Sequence, residues 1–273
     1  MQNLINFFQQ TFKFCYAIFI FMAKKSNIEW TQFTWNPTTG CTKISPGCKN
    51  CYAETMANRL QAMKAKGYEN GFKLTLQPNR LESPLNRKQP TTYFVNSMSD
   101  LFHEEIPFDY LDKVFDVIRQ TPQHIYQILT KRPQQMSRYF ETKKVPENAW
   151  LGVSVEDKKY GLPRIEILQK IAAKIRFLSV EPLLEDLGDF NLSNIHWVIV
   201  GGESGVKARP MKESWVENIE KQCRLYGSQF FFKQWGTWGV DGIKRSKSSN
   251  GRNFMGKVWE EIPKQQAELI FTG

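Results

Sequence analysis

Residues 36–54, NPTTGCTKISPGCKNCYAE, hold three of the five cysteines in a chain of 273 residues: Cys41, Cys48 and Cys51. Cys15 and Cys223 stand alone. An odd total gathered at one place argues against a disulfide framework and for a reduced, cytoplasmic protein whose thiols bind metal. The segment is rich in turn formers (Pro37, Gly40, Pro46, Gly47) and can wrap thiolates around one centre. Thiolates are soft ligands suited to zinc or iron–sulfur clusters, and closed sites of either kind take four protein ligands. Three thiols therefore have two readings. A [4Fe–4S] cluster on Cys41, Cys48 and Cys51 would leave one iron open to a substrate or cofactor. A zinc ion would need a distant histidine to close it, and His103, just past an apolar run, is the candidate. His196 directly precedes another apolar run and reads as an ordinary half-buried residue.

Either centre needs a scaffold, and the rest of the chain supplies a repeating one. From Trp30 onward, short runs rich in Val, Ile and Phe alternate with amphipathic stretches, the pattern of parallel strands joined by crossover helices. The runs are EWTQFTW, TYFVNSMSD, IYQILTKRP, WLGVSVED, IRFLSVEP, WVIVGGESG and FFFKQWG, about seven strands. Helices are expected over AETMANRLQAMKAK, DYLDKVFDVIRQ, PRIEILQKIAAK and SWVENIEKQCRLYG, the last ending at Gly227 as a C-cap. The hydrophobic share, 41%, suffices for a large core.

Six of these runs end in groups that bind or catalyse: Asn96, Ser97, Ser99 and Asp100; Thr130, Lys131 and Arg132; Ser154, Glu156 and Asp157; Ser179 and Glu181; Gly201, Gly202, Glu203 and Ser204; Lys233, Gln234 and Trp235. In parallel α/β folds that end of the sheet carries the site. The cysteine loop, between the first strand and first helix, belongs to the same end. The fold expected is an α/β full or partial parallel (β/α) barrel over residues 28–240. Residues 241–273 are Gly-, Ser- and Lys/Arg-rich and read as a basic loop or tail over the open face. Residues 1–27 are an N-terminal extension whose Phe/Ile-rich run is broken by QQTFKF. It reads as a start called too early, with Met22 the true one, or as an interfacial anchor or an extra helix; no membrane span is expected. A net charge of +10 favours a nucleic acid, nucleotide or other anion as partner, although a well-solvated basic surface has the same composition.

The three-cysteine loop resembles that of the radical S-adenosylmethionine enzymes. More closely, IEWTQFTWNPTTGCTKISPGCKNCYAE, FVNSMSDLFHEEIP, QILTKRP, LGVSVED, RFLSVEPLLE, VIVGGESG and FFKQWG together resemble a phage-associated family of unknown function with a three-cysteine motif. The radical-enzyme likeness implies a [4Fe–4S] cluster, S-adenosylmethionine at its open iron and an electron donor. There are departures. The usual gap of three residues before the second cysteine is six here, Asn50 rather than an aromatic precedes Cys51, and the Gly-Gly-Glu stretch follows the sixth strand instead of the second.

Carried onto this chain, the resemblance implies that Asn96, Ser97 and Ser99 bind the amino-acid moiety and that Lys131 or Arg132 pairs with its carboxylate. Gly201, Gly202 and Gly205 would let the backbone approach adenine or ribose, with Glu203 among the cofactor-binding groups. Glu156 and Glu181 would bond ribose or substrate or move a proton, or else form salt bridges with Lys131, Arg132 or Lys233. Trp235 and Trp238 would stack on a ring or plug the barrel end. The competing expectation is a non-enzymatic zinc protein that binds nucleic acid, or a partner subunit.

Overall fold

The computed structural model describes residue 26 and residues 28–264; the N-terminal extension, apart from Ser26, and the last nine residues lie outside them. Seven parallel strands form one sheet in chain order: β1 (Phe33–Trp35), β2 (Thr92–Val95), β3 (Ile125–Thr130), β4 (Ala149–Ser154), β5 (Arg176–Val180), β6 (Trp197–Gly201) and β7 (Gln229–Gln234). Strands β1 and β7 are not hydrogen-bonded to each other, so the barrel is partial. Helices α1 (Tyr52–Ala62), α2 (Phe108–Gln120), α3 (Pro133–Phe140), α4 (Leu162–Gln169) and α5 (Glu213–Tyr226) occupy five of the six crossovers, and the β5–β6 connection, 181–196, is irregular. Gly227 closes α5 with φ 73°, a left-handed conformation that costs a residue without Cβ nothing. No helix among the described residues is long and apolar enough to cross a membrane.

Alternation along each strand divides the core in two. Leu151, Val153, Leu178, Val180, Val198, Val200, Phe230 and Phe232 face the helices and belong to the larger buried cluster. Trp150, Phe177, Trp197, Ile199 and Phe231 face the other way and pack with Trp30 and Phe94 into a second, mostly aromatic cluster on the concave side. In register across β3–β6, Leu129, Gly152, Phe177 and Trp197 lie side by side. A Cβ on Gly152 would sit 2.5 Å from the Phe177 ring, so only glycine leaves that ring its place. One layer nearer the strand ends come Ser154, Ser179, Ile199 and Phe231. On β4 and β5 the concave face thus turns from Trp150 and Phe177 to the small, polar Ser154 and Ser179 toward its C-terminal end.

Two segments differ from the sequence expectation. Helix α3 is additional; Pro133 starts it and Met136 and Tyr139 bury its inner face, within a stretch too short and polar to show a clear period. Residues 251–263 pack on the sheet: Phe254 and Trp259 join the outer core, and Trp259 O accepts from Phe232 N at 3.0 Å. That contact partly covers the edge of β7, which would otherwise expose unpaired backbone groups.

Candidate active site

The cysteine loop runs from the end of β1 to the start of α1, with Cys51 at the N-cap of that helix. The helix buries Ala53 and Ala57 against Met98, which fixes its first turn, and its positive end, beside the Cys51 sulfur. Cys41, Cys48 and Cys51 all line one cavity of about 440 Å³ at the C-terminal mouth of the sheet. Ser154, Ser179, Glu181, Lys131 and Lys233 line it from the strands, and Trp30 and Phe94 from the aromatic side. The structure therefore brings the thiols and the strand tips to one place.

What each tip does there differs. Arg132, 3% exposed, has all five N–H donors engaged. Nε donates to Glu104 Oε2 at 2.7 Å, Nη1 to Asp100 Oδ2 at 3.1 Å and to Cys41 Sγ at 3.5 Å, and Nη2 to Thr42 O at 3.1 Å and Thr42 Oγ1 at 2.8 Å. Asp100 is the hub behind it, accepting also from Thr130 Oγ1 at 2.6 Å and Lys131 N at 3.0 Å. At the next tip Glu156, fully buried, accepts from Arg164 Nη1 at 2.6 Å and from the Ser45 hydroxyl of the cysteine loop. Burial pushes its carboxyl up, but Lys131 and Arg164 outweigh burial and hold it below the usual carboxylate range, ionised.

Glu203 makes the third such tie. It pairs with Arg209 (Nη2 to Oε1, 2.5 Å) and accepts from Asn50 Nδ2 at 3.1 Å, while Arg209 Nη1 donates to Pro46 O at 3.1 Å. Burial raises its pKa and the bonds to Arg209 and Asn50 lower it further than burial raises it. Asn96, in the left-handed region at φ 60°, donates to Thr38 Oγ1 at 2.8 Å and accepts from Thr38 N at 3.3 Å. Ser99 Oγ bonds Thr38 Oγ1 at 2.7 Å, Ser97 Oγ donates to Asn36 Oδ1 at 3.2 Å, and Ser97 O accepts from the Tyr52 hydroxyl. The side chains of Asn96, Ser97, Ser99, Arg132, Glu156 and Glu203 all hold the cysteine loop or its flanks.

Two tips are arranged otherwise. Glu181 and Lys233 pair at 2.9 Å, with side chains 15% and 19% exposed, and Ser179 Oγ donates to Glu181 Oε2 at 3.2 Å. Lys131 stands 3.9 Å from Glu156, 18% exposed. These groups keep polar surface toward the cavity. Gly201 and Gly202 serve close packing: a Cβ on Gly201 would lie 2.7 Å from Glu181 Oε1, and one on Gly202 would overlap the Trp235 carbonyl. Trp235 is buried against Phe232 and Phe254, its Nε1 donating to Asn253 O at 2.8 Å, and Trp238 Nε1 donates to Ala208 O at 2.7 Å.

The donor set bears on both expected centres. Among the described residues, no three His, Cys, Asp or Glu side chains gather closely enough to hold a single ion. His103 is committed elsewhere: Nδ1 accepts from Glu105 N at 3.2 Å, so Nε2 carries the proton and donates to Thr42 Oγ1 at 2.9 Å. Burial, with Arg132 close by, holds its pKa below the usual histidine value. A cluster takes each thiolate at a different iron and so spaces its ligands more widely than one zinc ion does. Three soft donors around a shared cavity fit such a cluster. Burial and nearby Asp100 push the Cys41 thiol up to about 11, against Arg132; a bound cation is what would favour its thiolate.

Sequence reasoning missed Arg164, Arg209, Ser45 and Asn50. Arg164 lies eight residues after Glu156 and Arg209 six after Glu203, spacings that no periodicity marks. Lys247 and Glu29 also went unseen; they pair at 2.8 Å and line the cavity from opposite ends of the described residues.

Residues 25–263 match a family described as protein of unknown function (DUF5131), and the chain belongs to that family. No curated protein matches it. Among solved structures it is similar to spore photoproduct lyase complexed with dinucleoside spore photoproduct, at 13% identity and TM-score 0.47, over 73% of this chain and 63% of that one. A doubly substituted spore photoproduct lyase with bound AdoMet and dinucleoside spore photoproduct is similar at 13% identity and TM-score 0.46, over 66% and 58%. The chain thus spans less than two thirds of the length of these two structures.

Proposed function

We propose that this DUF5131 protein is a radical S-adenosylmethionine-like iron–sulfur enzyme of a reducing, cytoplasmic compartment, acting on a nucleic acid or nucleotide. The observation that carries the reading is the placing of three thiols from one loop around a single cavity at the mouth of an open parallel barrel. Cys41, Cys48 and Cys51 would hold a [4Fe–4S] cluster. Such a cluster supplies an open coordination position and one electron, delivered by an external donor, and the radical chemistry belongs to the cofactors.

The chain's own part is positioning and recognition. Arg132, Glu156, Glu203 and Asn96 keep the loop in the one conformation that points its sulfurs at the cavity. Lys131, Glu181 and Lys233, with Ser154 and Ser179, provide the polar wall against which S-adenosylmethionine would lie, and Glu181 is the carboxylate placed to accept a bond or a proton. Gly201 and Gly202 keep that wall close. The net charge of +10, with Lys49 and Lys207 exposed beside Asn50, supports a phosphate-bearing substrate.

Anaerobic reconstitution with iron and sulfide tests the assignment. A brown protein with about four irons per chain, yielding 5′-deoxyadenosine once reduced in the presence of S-adenosylmethionine, is the expected result. A colourless protein carrying stoichiometric zinc overturns the cluster. A complete, reducible cluster that gives no 5′-deoxyadenosine overturns the enzyme. A salt-dependent gel shift with DNA or RNA checks the substrate class.

A further inference from the structure

The three sulfurs have unequal surroundings. Cys48 Sγ has a neutral hydroxyl, Ser45 Oγ, at 3.7 Å, whereas Cys41 Sγ receives an N–H from a guanidinium at 3.5 Å. That guanidinium cannot swing away, because its other four donors are taken by Glu104, Asp100 and Thr42, and it is 3% exposed. The orientation of the N–H toward sulfur is therefore fixed by Glu104 and Asp100, which do not bond the thiol, and by Thr42, whose carbonyl also accepts from Cys41 Sγ at 3.4 Å. The guanidinium is buried while Cys41 is half-buried and lines the cavity, so the positive charge reaches the sulfur from the protein side with screening from the cavity side alone.

Resting on the cluster assignment above, we propose that Arg132 is a positioning residue that sets both the orientation of Cys41 and the reduction potential of the cluster it helps hold. Reduction adds one negative charge to the cluster and its sulfurs. A fixed cationic donor at one of those sulfurs favours the reduced form and raises the potential. A purely structural clamp would alter how much cluster is held without altering how readily it is reduced. Lysine at this position keeps the charge and loses the planar fork, so it separates the two roles.

The test is a redox titration of the reconstituted full chain, followed by the electron paramagnetic resonance of the reduced cluster, after iron and sulfide have been counted. At the wild-type midpoint, Arg132→Gln should change the ratio of reduced to oxidised cluster by about tenfold toward the oxidised form, and Arg132→Lys by less. Equal midpoints in all three overturn the inference and leave the function reading intact; a wild-type chain that binds no cluster overturns that reading first. Should neither Arg132 variant retain iron, Glu104→Gln decides. It removes an acid that partly neutralises the guanidinium, at a side chain 54% exposed, and should shift the ratio toward the reduced form. An unchanged ratio there also overturns the inference.

Discussion

The tips of β3, β4 and β6 and the tips of β5 and β7 carry similar residues and are used differently. Arg132, Glu156 and Glu203 are buried; each bonds the cysteine loop directly, and their remaining polar atoms are taken by Asp100 and Glu104, by Arg164, or by Arg209, which also reaches the loop. Glu181 and Lys233 are paired only across the cavity wall and keep part of their surface open to it. A charged residue at a strand end is thus not enough to mark a binding group. What separates the two sets is whether another element crosses over the tip: the cysteine loop lies over the first set and leaves the second uncovered.

Removing the element that defines the first set should have the largest effect. Cys41→Ala, Cys48→Ala or Cys51→Ala should each bring iron content and 5′-deoxyadenosine formation to background, a loss of about 100-fold or more, with little change in the melting temperature because these side chains are only half-buried. Retained iron in any one of them would mean the loop is not the ligand set.

Next comes the buried tie itself. Arg164→Ala leaves the Glu156 carboxylate without its main partner inside the fold and should cost about 3–5 kcal/mol in urea unfolding. A cost near that of a surface substitution would erase the distinction between the two sets of tips.

The uncovered set should behave in the opposite way. Glu181→Gln and Lys233→Ala should change stability by about 1 kcal/mol or less, since the pair is partly solvated. The same changes should weaken S-adenosylmethionine binding by about tenfold in titration calorimetry. A large stability loss with unchanged binding would place these residues with the ties.

The smallest effect is expected at the far end of the strands. His124 and His196 stand just before β3 and β6, and burial lowers the pKa of both, against carbonyls at His124 and with Arg176 at His196. Each is neutral when folded and takes up a proton more readily when unfolded. Their contribution is therefore complete above about pH 6.5 and falls away as pH drops below it, by only a fraction of the ~1.4 kcal/mol per pH unit that a full proton would give. Urea unfolding between pH 7.5 and 5.5 measures it; His124→Gln should flatten the slope.

Much of the scaffold was legible because its signals are local. Seven apolar runs gave seven strands in chain order, and Gly227 marked a helix end, since periodicity and backbone preference act over a few residues. Helix α3 was not legible: eight residues with one polar face carry too little pattern. The expectation that Lys131 or Arg132 pairs with a cofactor carboxylate came from the resemblance, and nothing in the sequence reveals that Thr42, Glu104 and Asp100 engage the donors of Arg132. Arg164 and Arg209 had no signal at all, because no helical or strand period relates them to Glu156 and Glu203.

The sequence by itself determined that three thiols share one turn-rich loop and that polar groups recur at successive strand ends, because both follow from residue type and short-range spacing. Only the tertiary structure decided which of those polar groups grip the loop and which face the cavity. That choice depends on which side chains meet across about a hundred residues of chain, where burial and the demand for hydrogen-bond partners act together and no local pattern records the outcome.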